Sequence, residues 1–510
     1  MNKTQIVKDG TFDIIKSAVD KMVDLIKPTY GSAENKVIIS KEMYGQWPLA
    51  VDDGVQIARD FKLDDPAENA IVNVIRETAV KTNDRVGDGT TSSLIILQAI
   101  ISEVAKTTRR DGITISRDLK KGFEEIKNQL ETSAIPIDSK EDLKKVAMIS
   151  FNNEKVAEII ADIYSKIGKD GIITIDKSDT METFSDMVDG IKIDKGYISP
   201  YMITNGERME SEILKPYILI TDYNIVEAGD LIPIMDKMAK ENKRELVVVC
   251  ANMEKHALAT AVVNKMQNKF LTIAVRVPST SDNRVTLEDL AIITGAKFFS
   301  EGKGDKLEEV TIADLGRAEK FIARKEESVI VGPKGEEEKV NNLVINLKSA
   351  IANSTKERDL EDLKKRHAMA TGKVAVIKVG APTDNEMKSL RYKVEDAVNS
   401  VKSAYNHGVV CGAGLSLERL TCSSKVLTEA ISAPARQLRD NLGVEEVVEK
   451  AGETAFATNY VTGERENWLT SGVVDPVEVL VAGLDSAVSI ASILITSSGM
   501  IVEHPVDKKD

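Results

Sequence analysis

The chain has 510 residues and a formal net charge of −13, and 42% of its residues are hydrophobic, 29% charged and only 4% aromatic. A chain of this length is too long to form a single hydrophobic core, so roughly two to four domains are expected. The composition is typical of a soluble globular protein. The acidic balance argues against nucleic-acid and anionic-membrane partners, because neutralising phosphates requires clustered Lys and Arg.

Cysteine and histidine usage argues against a disulfide framework and a zinc site. Cys250, Cys411 and Cys422 show no C-x-x-C spacing, and the four histidines form no H-E-x-x-H. The pattern predicts the cytoplasm or an equivalent reducing compartment. The N-terminus has no apolar signal-peptide core, and the Ser-rich apolar stretch 486–502 fits a buried helix better than a membrane span.

The first quarter of the chain is predicted to be helical. Apolar residues at three- and four-residue spacings predict a helix over 12–27, which Pro28 ends, and amphipathic helices over 66–84 and 93–108. A short strand is expected over 36–40.

Strands and helices alternate through the middle of the chain. From about residue 191 this alternation predicts an α/β domain with partly buried strands. The expected elements are helices around 140–165, over 256–266 and over 286–295, strands over 171–176, 245–250 and 270–278, and a charged helical region over 335–370.

The last third begins with a strand over 374–380 and a long helix over 385–406, followed by a glycine-rich loop over 408–414 and a helical remainder. Because both ends of the chain are helical and the middle differs, the sequence predicts a multidomain α and α/β fold. An α/β domain is inserted into a helical one, with crossover regions near 136–190 and 373–408.

The string VGDGTTSS, residues 86–93, joins two predicted helices and fits a site for phosphate and a metal. Asp88 is a hard oxygen ligand suited to Mg²⁺, and Gly87 and Gly89 let the backbone approach a ligand closely. The hydroxyl residues that follow lie at a helix N-terminus, where the helix dipole favours anions. An ordinary helix cap explains the same residues, so the spacing leaves both interpretations open.

Two other glycine loops and three acids are candidates for the same chemistry. The loop at 29–35 could meet phosphate, but a turn after Pro28 explains it equally well. The loop at 411–414 opens a helix and could flank an adenosine or its phosphates, and each loop alone is a weak signal. Hydrolysis of a phosphoanhydride needs a metal-bridging carboxylate and another that orients water, and Asp53, Asp396 and Asp475 are available. An Asp before Pro is typical of a helix cap, and Asp396 fits a solvated helix position as well.

The order of five motifs carries a resemblance to a known family. GDGTT lies near residue 90, YISPYM near 200, KVGAPTDNEMK with KVEDAV near 390, GVVCGAG near 410 and SGVVDP near 475. In order and spacing they resemble the group I (GroEL-type) chaperonins, ring ATPases that assist protein folding. The chain is identified as a divergent member over roughly residues 2–505.

The resemblance implies three domains. A helical equatorial domain would comprise 1–135 and 409–510, a hinge-like intermediate domain 136–190 and 373–408, and an inserted α/β apical domain 191–372. The first would hold the nucleotide, and the last would bind client proteins.

The resemblance also implies ATP, Mg²⁺ and K⁺ as cofactors. Asp88 would hold the metal, Asp396 would swing in to activate the attacking water, and Asp53 would assist. The implied nucleotide-binding residues are Thr29, Tyr30, Gly31, Ser32, Asp52, Asp88, Gly89, Thr90, Thr91, Ser92, Gly412, Ala413, Asn459, Tyr460, Val461 and Asp475. Backbone oxygens of Thr29 and Asp52 would lie by the monovalent cation.

An apolar apical surface would bind clients, although each of its residues fits a core position as well. The implied contacts are Tyr197, Tyr201, Met202, Ile232, Met235, Leu258, Val262 and Val263. The implied partners are non-native proteins and further copies of the chain in a homo-oligomeric ring, with seven subunits expected. The resemblance leaves open whether a co-chaperonin lid takes part.

The chain departs from the family pattern around the nucleotide. Asn459-Tyr460-Val461 stands where the family has N-A-A, so the base pocket is bulkier and nucleotide preference is in doubt. Further departures are Ser32, Asp52 and Ala413, together with shortened segments at 420–430 and 445–458. Because both segments border the ring-to-ring interface in the family, the resemblance implies a weakened or altered double ring, or a stable single ring.

Three functions are compatible with these observations to different degrees. An ATP-driven folding chamber accounts for the whole motif series. A non-enzymatic scaffold or holdase would have kept the ring and lost turnover, which the acids Asp53, Asp88 and Asp396 argue against. A monomeric phosphotransferase would need a small-substrate pocket, for which the sequence has no motif.

Overall fold

The computed structural model describes residues 3–7, 9–31, 35–40, 48–51, 53–107, 111–169, 171–178, 180–206, 208–277, 281–353, 357–444, 456–459 and 464–504. Four of the predicted nucleotide-binding residues lie outside the described residues: Ser32, Asp52, Tyr460 and Val461.

The described helices, in chain order, are α1 (Thr11–Ile26), α2 (Gly54–Asp60), α3 (Pro66–Val86), α4 (Thr90–Ala105), α5 (Gly112–Ser133), α6 (Lys140–Ser150), α7 (Glu154–Ile167), α8 (Ile232–Lys240), α9 (Lys255–Met266), α10 (Ser281–Thr294), α11 (Glu337–Asn353), α12 (Glu357–Ala370), α13 (Asp384–His407), α14 (Leu415–Glu418), α15 (Lys425–Ala430), α16 (Ala433–Leu442), α17 (Trp468–Ser471) and α18 (Val477–Thr496).

The described strands are β1 (Lys3–Val7), β2 (Val37–Ile39), β3 (Leu49–Val51), β4 (Ile172–Lys177), β5 (Phe184–Ile193), β6 (Ser211–Leu214), β7 (Tyr217–Thr221), β8 (Asn224–Ile225), β9 (Glu245–Cys250), β10 (Asn252–Met253), β11 (Leu271–Arg276), β12 (Phe298–Phe299), β13 (Gly316–Ala323), β14 (Ser328–Pro333), β15 (Lys373–Val379), β16 (Val409–Cys411), β17 (Phe456–Thr458), β18 (Arg465–Asn467), β19 (Val474–Pro476) and β20 (Met500–His504).

The chain forms two compact units. The helical unit comprises Met1–Asp170, Ile175–Phe184 and Ile377–Asp510, and the sheet unit comprises Gly171–Thr174 and Ser185–Val376. The predicted insertion of an α/β segment into a helical one is therefore confirmed. The two predicted intermediate segments fall largely in the helical unit, so the three-domain division stays a prediction.

The core of the helical unit is built around α18. This helix is long and apolar enough to cross a membrane by length and composition, yet most of it is buried, and it packs against α3, α4 and α5. Its buried side chains include Leu480, Leu484 and Val488, which join one apolar cluster with residues of α1 and α4. It is a core helix, as the sequence predicted for 486–502, although it begins earlier, at Val477, and ends earlier, at Thr496, and residues 500–502 lie in β20.

A sheet with apolar layers on both faces organises the sheet unit. Its strand order is β11-β9-β7-β13-β14-β5-β15-β4, with β9 parallel to both β7 and β11. Side chains alternate between the faces of a strand. Val247 and Val249 of β9 accordingly face one core with α10 and α11, while Leu246 and Val248 face the other with α8 and α9.

A partly buried ion pair fixes the helices on one face of that sheet. Arg366 of α12 binds the carboxylate of Asp289 of α10 through two hydrogen bonds, Nε to Oδ2 at 2.6 Å and Nη2 to Oδ1 at 3.0 Å. This bidentate geometry is the favourable one for Arg and carboxylate. It compensates for the burial of Asp289, which is 3% exposed.

Three predicted elements differ in detail. The helix expected around 140–165 is two helices, because the Asn153 side chain accepts a hydrogen bond from the N–H of Val156 and begins α7 anew. The expected glycine-rich loop at 408–414 contains strand β16, paired with β19. The C-terminal region, expected to be helical, also carries β17 to β20.

Candidate active site

The residues Gly87–Gly89, here called the glycine loop, connect α3 to α4 in the helical unit. Gly87 and Gly89 have φ values of +68° and +80°, a left-handed conformation that favours glycine. A Cβ on Gly87 would overlap the side chain of Asn399, and one on Gly89 would lie 2.7 Å from Cγ1 of Val479. The loop is therefore in close contact with α13 and α18, and side chains there would push these helices away.

We expect Gly87→Ala to destabilise the helical unit by more than the penalty for a left-handed alanine, because the added methyl group would also overlap Asn399. Gly443→Ala is the matched control, because Gly443 has φ of +64° but no neighbouring atom within 4 Å of the point where an added methyl group would lie. The control should lose about 1–2 kcal/mol, the usual penalty for a left-handed L-residue. Thermal unfolding measures the difference, and equal losses for both variants would contradict the close packing.

The four hydroxyl residues at the start of α4 have different roles. Oγ of Ser92 donates to the carbonyl of Gly89 at 2.8 Å, and Oγ of Ser93 donates to the carbonyl of Thr90 at 2.7 Å, so both serve the helix itself. Thr91 lies against Gly54. Oγ1 of Thr90 is buried and has no hydrogen-bond partner within the described chain. The hydroxyl of Thr90 is thus available to a ligand.

Asp88 is held at both carboxylate oxygens. Its Oδ1 accepts from the N–H of Gly89 at 2.6 Å, and its Oδ2 accepts from Oγ of Ser400 at 2.5 Å. Burial raises the pKa of Asp88, and these two hydrogen bonds oppose the shift.

The contact with Ser400 orients helix α13 toward the glycine loop. Asp396 precedes Ser400 by four residues in α13, so both lie on one face of the helix, about 6 Å apart along its axis. The structure therefore places Asp396 on the helix face that carries the contact with Asp88. Its role in hydrolysis stays a prediction.

Asp475 lies in a strand. In β19 it pairs with Val410 of β16, and its Oδ2 accepts from the N–H of Gly414 at 3.4 Å. The N-cap of α18 is Pro476, without a side-chain cap, so the helix-cap alternative for Asp475 is wrong. Burial raises the pKa of Asp475 to about 7, the charge of Asp88 adds to the rise, and the Gly414 hydrogen bond opposes it.

This shift predicts a pH dependence of stability. A carboxyl group whose pKa rises from 3.8 to about 7 on folding stabilises the protein below pH 3.8 and loses that contribution as pH rises to about 7. Asp475→Asn removes the titration. We therefore expect the melting temperature of Asp475→Asn, relative to that of the native protein, to increase from pH 5 to pH 8. Asp440→Asn, at an exposed position, is the control. If the difference in melting temperature between Asp475→Asn and the native protein stayed constant with pH, the raised pKa of Asp475 would be contradicted.

The segment after α1 forms another side of the site. Nδ2 of Asn441 in α16 donates to the carbonyls of Lys27 and Tyr30, at 2.9 and 2.8 Å. Gly31, with φ of +88°, lies directly against Leu438. Helix α16 therefore fixes the conformation of this turn.

Tyr30 lies near the two acids already described. Burial raises the pKa of its hydroxyl, and the charges of Asp475 and Asp88 raise it further. Thr29 at the end of the same turn uses its hydroxyl to bind the carbonyl of Ile26 at 2.9 Å. The predicted cation contact is through the backbone oxygen of Thr29.

Asp53 lies beside the start of α4, Gly412 packs on β19, and Asn459 belongs to a separate hairpin. Oδ1 of Asp53 accepts from the N–H of Val55 at 2.9 Å and begins α2, whose first residue, Gly54, lies against Thr91. Gly412 lies against the backbone of β19, and Ala413 beside it has φ of +58°. Asn459 follows β17, and its N–H donates to the carbonyl of Glu464 at 2.9 Å.

Three residues at the site were not predicted from the sequence: Ser400, Asn399 and Asn441. Ser400 had a usable signal, because it lies one helical turn after Asp396 on the same face. Asn399 and Asn441 had none, since a polar residue on an amphipathic helix is most simply a solvated one.

The residues at the glycine loop fit Mg²⁺ bound together with a nucleotide. Across the described part of the chain, no three His, Cys, Asp or Glu residues form a group that would hold a metal by themselves. Mg²⁺ is commonly held by one or two carboxylates and by phosphate oxygens, which matches Asp88 beside a helix N-terminus. The hydroxyl of Thr90, which has no hydrogen-bond partner among the described residues, fits the same ligand.

The predicted client residues in the sheet unit divide by exposure. Tyr201, Ile232 and Val263 are 71%, 41% and 48% exposed. Tyr197, Leu258 and Val262 are half-buried.

Met202 and Met235 differ from the prediction, because both are core residues of the sheet unit. Met202 is fully buried, and its sulfur accepts from the N–H of Ala274 at 3.3 Å. Met235 lies on the inner face of α8 beside Met238. Neither side chain offers a surface to a client in this conformation.

Lys265 fixes the exposed part of this surface. Its Nζ donates to the carbonyls of Tyr201 and Ile203, at 2.9 and 2.5 Å, and so ties the turn containing Tyr201 to α9. Met266, which was not predicted from the sequence, is 73% exposed at the end of the same helix. Tyr201, Val263 and Met266 are here called the apolar client surface.

The comparisons with known proteins agree with this architecture. The model of the TCP-1/cpn60 chaperonin family matches residues 22–505. The chaperonin gp146 from the bacteriophage EL 2 (Pseudomonas aeruginosa), crystallised in presence of ATP-BeFx, is similar in two crystal forms. The TM-scores are 0.68 and 0.63 at 19% and 20% identity, over 98% of this chain and 99% of that one. At this identity the likeness bears on the fold, and it confirms the predicted fold class.

Proposed function

This chain belongs to the TCP-1/cpn60 chaperonin family, and we propose that it is an ATP-dependent chaperone with its nucleotide site at the glycine loop. It would capture non-native proteins on the apolar client surface and fold them in the cavity of a homo-oligomeric ring. A seven-membered ring, K⁺ beside the nucleotide and a reducing cytoplasm belong to the same proposal.

The observation that carries the proposal is the hydrogen bond from Ser400 to Asp88. It joins the predicted metal carboxylate to the helix that bears the predicted catalytic acid. Since Asp396 lies one turn from Ser400, one helix presents the acid on the side of the phosphate site. The solved relative crystallised in presence of ATP-BeFx adds support for a nucleotide ligand.

Each residue of the site has a defined task under this proposal. Asp88 holds the metal, while the N-terminus of α4 and the hydroxyl of Thr90 bind phosphate oxygens. Bound Mg²⁺ would neutralise the charge that develops on the phosphates. Asp396 orients the attacking water and accepts its proton.

The exposed apolar side chains support client capture. Tyr201, Ile232 and Val263 expose apolar area on one unit. Non-native chains themselves expose apolar area, which such a surface would cover. Cys250 and Cys411 are buried and form no disulfide within the described chain, which is compatible with a reducing compartment.

A passive holdase is the second candidate, because the client surface requires no nucleotide. Tyr460 and Val461, the bulky replacements in the predicted base pocket, would be the cause of lost turnover.

Refolding of a chemically denatured test enzyme separates the two functions. With the ATPase chaperone, ATP and Mg²⁺ should raise the yield of active enzyme, phosphate should be released, and native mass should report a ring. A holdase would suppress aggregation equally with and without ATP and release no phosphate. That outcome would overturn the proposed ATPase.

A further inference from the structure

Ser400 is a buried hydroxyl that makes a long-range contact to the predicted metal ligand. Its side chain belongs to a residue only 1% exposed, and Oγ donates to Oδ2 of Asp88 at 2.5 Å. A serine within a helix commonly satisfies its hydroxyl on a carbonyl of the preceding turn. Here the hydroxyl instead donates to a carboxylate 312 positions away in sequence.

Ser403 on the same helix shows that α13 does not require such a bond. It is also buried, at 8% exposed, and its Oγ has no hydrogen-bond partner among the described residues. The two serines therefore share a helix and a buried setting, and only Ser400 reaches the glycine loop.

Both carboxylate oxygens of Asp88 are fixed by donors of this chain. The N–H of Gly89 binds Oδ1, and the hydroxyl of Ser400 binds Oδ2. A carboxylate oxygen can accept more than one partner, so a bound cation remains compatible with both bonds. Partners that fix the orientation of a metal ligand raise its affinity for the metal.

Helix α13 is itself held by the rest of the helical unit. The hydroxyl of Tyr164 in α7 donates to the carbonyl of Val398 at 3.2 Å, and the Asn399 side chain lies directly against Gly87. Ser400 therefore connects a fixed helix to a fixed loop. A displacement of α13 would break the bond and release one oxygen of Asp88.

Resting on the proposed function, we infer that Ser400 is a positioning residue that couples helix α13 to the metal-holding carboxylate of Asp88. It orients Asp88 for Mg²⁺ and keeps the face bearing Asp396 against the glycine loop. Metal affinity then depends on this hydrogen bond as well as on Asp88 itself.

Calorimetric binding of ADP over a Mg²⁺ titration tests this inference on the full-length protein. Ser400→Ala should raise the Mg²⁺ concentration needed for half-maximal ADP binding about 10–100-fold, the usual effect of losing a partner of a metal ligand. ADP binding in EDTA should stay unchanged. Ser403→Ala, the matched control, should behave as the native protein in both conditions.

Two further variants make the outcome decisive. Ser400→Cys keeps the packing and replaces the hydroxyl with a weak thiol donor, so it should also weaken the Mg²⁺ dependence, and it serves if Ser400→Ala fails to fold. Asp88→Ala should abolish the effect of Mg²⁺.

The pattern of results distinguishes failure of the inference from failure of the proposed function. If Asp88→Ala loses the Mg²⁺ effect while both Ser400 variants match the native protein, the inference is overturned and the proposed function stands. If the native protein binds no ADP, or Asp88→Ala changes nothing, the proposed function itself fails.

Discussion

Replacing Asp396 with alanine is expected to lower the rate constant of ATP hydrolysis about 10²–10⁴-fold, the range attributed to a positioned general base. Nucleotide affinity should change only a few-fold, because the proposed phosphate contacts come from the glycine loop and from the start of α4. Steady-state phosphate release and ADP calorimetry on the same preparation measure the two quantities.

Two controls separate catalysis from packing in this experiment. Asp396→Asn keeps the size of the side chain and removes the charge, so it should be nearly as slow as the alanine variant. Lys402→Ala changes an exposed residue of the same helix and should hydrolyse ATP normally. If Asp396→Asn retained the native rate, Asp396 would have no role as a base.

The paired substitution Tyr201→Glu with Val263→Glu is expected to abolish most client capture. Burial of one large apolar side chain contributes about 1.5–3 kcal/mol, and about 1.4 kcal/mol corresponds to a tenfold change in affinity. The concentration of chaperone that suppresses aggregation of a denatured enzyme should therefore rise at least about tenfold. ATP hydrolysis without client should be unaffected, since the substitutions lie in the sheet unit.

Ile345→Glu provides the matched control for this pair. Ile345 is 62% exposed on α11 of the same unit and belongs to no predicted client contact. Its substitution adds the same kind of charge at an exposed apolar position. Equal loss of capture in the control would show that a general change of surface charge, and not the apolar client surface, explains the effect.

Apolar periodicity, and the glycine and proline residues that interrupt it, were sufficient to predict most of the helices and strands. The three-residue joint between α3 and α4 was visible because two glycines and an acid interrupt two apolar repeats. Strand β9 was predicted from the continuous apolar run LVVVC. The structure explains this run, because five successive residues of the strand are buried.

Contacts between distant segments could not be predicted in the same way. The bond between Ser400 and Asp88 depends on how α13 packs on the glycine loop, and helical periodicity gives a residue's face without naming what that face meets. Met202 and Met235 were assigned to the surface by motif, but a methionine is as suitable for a core as for a client surface. Their burial is decided by the packing of α8 and of the turn at Pro200.

The position of α18 near the end of the chain has a consequence for biosynthesis. Helices α3, α4 and α5 emerge from the ribosome first, and the helix that covers their apolar faces is made only after the whole sheet unit. Domains are generally completed in order of synthesis, and apolar faces left open meanwhile promote aggregation. The sheet unit, whose segments are nearly continuous in sequence, can form early. The helical unit of this chaperonin-family protein therefore cannot complete its core during synthesis until α18 has been made.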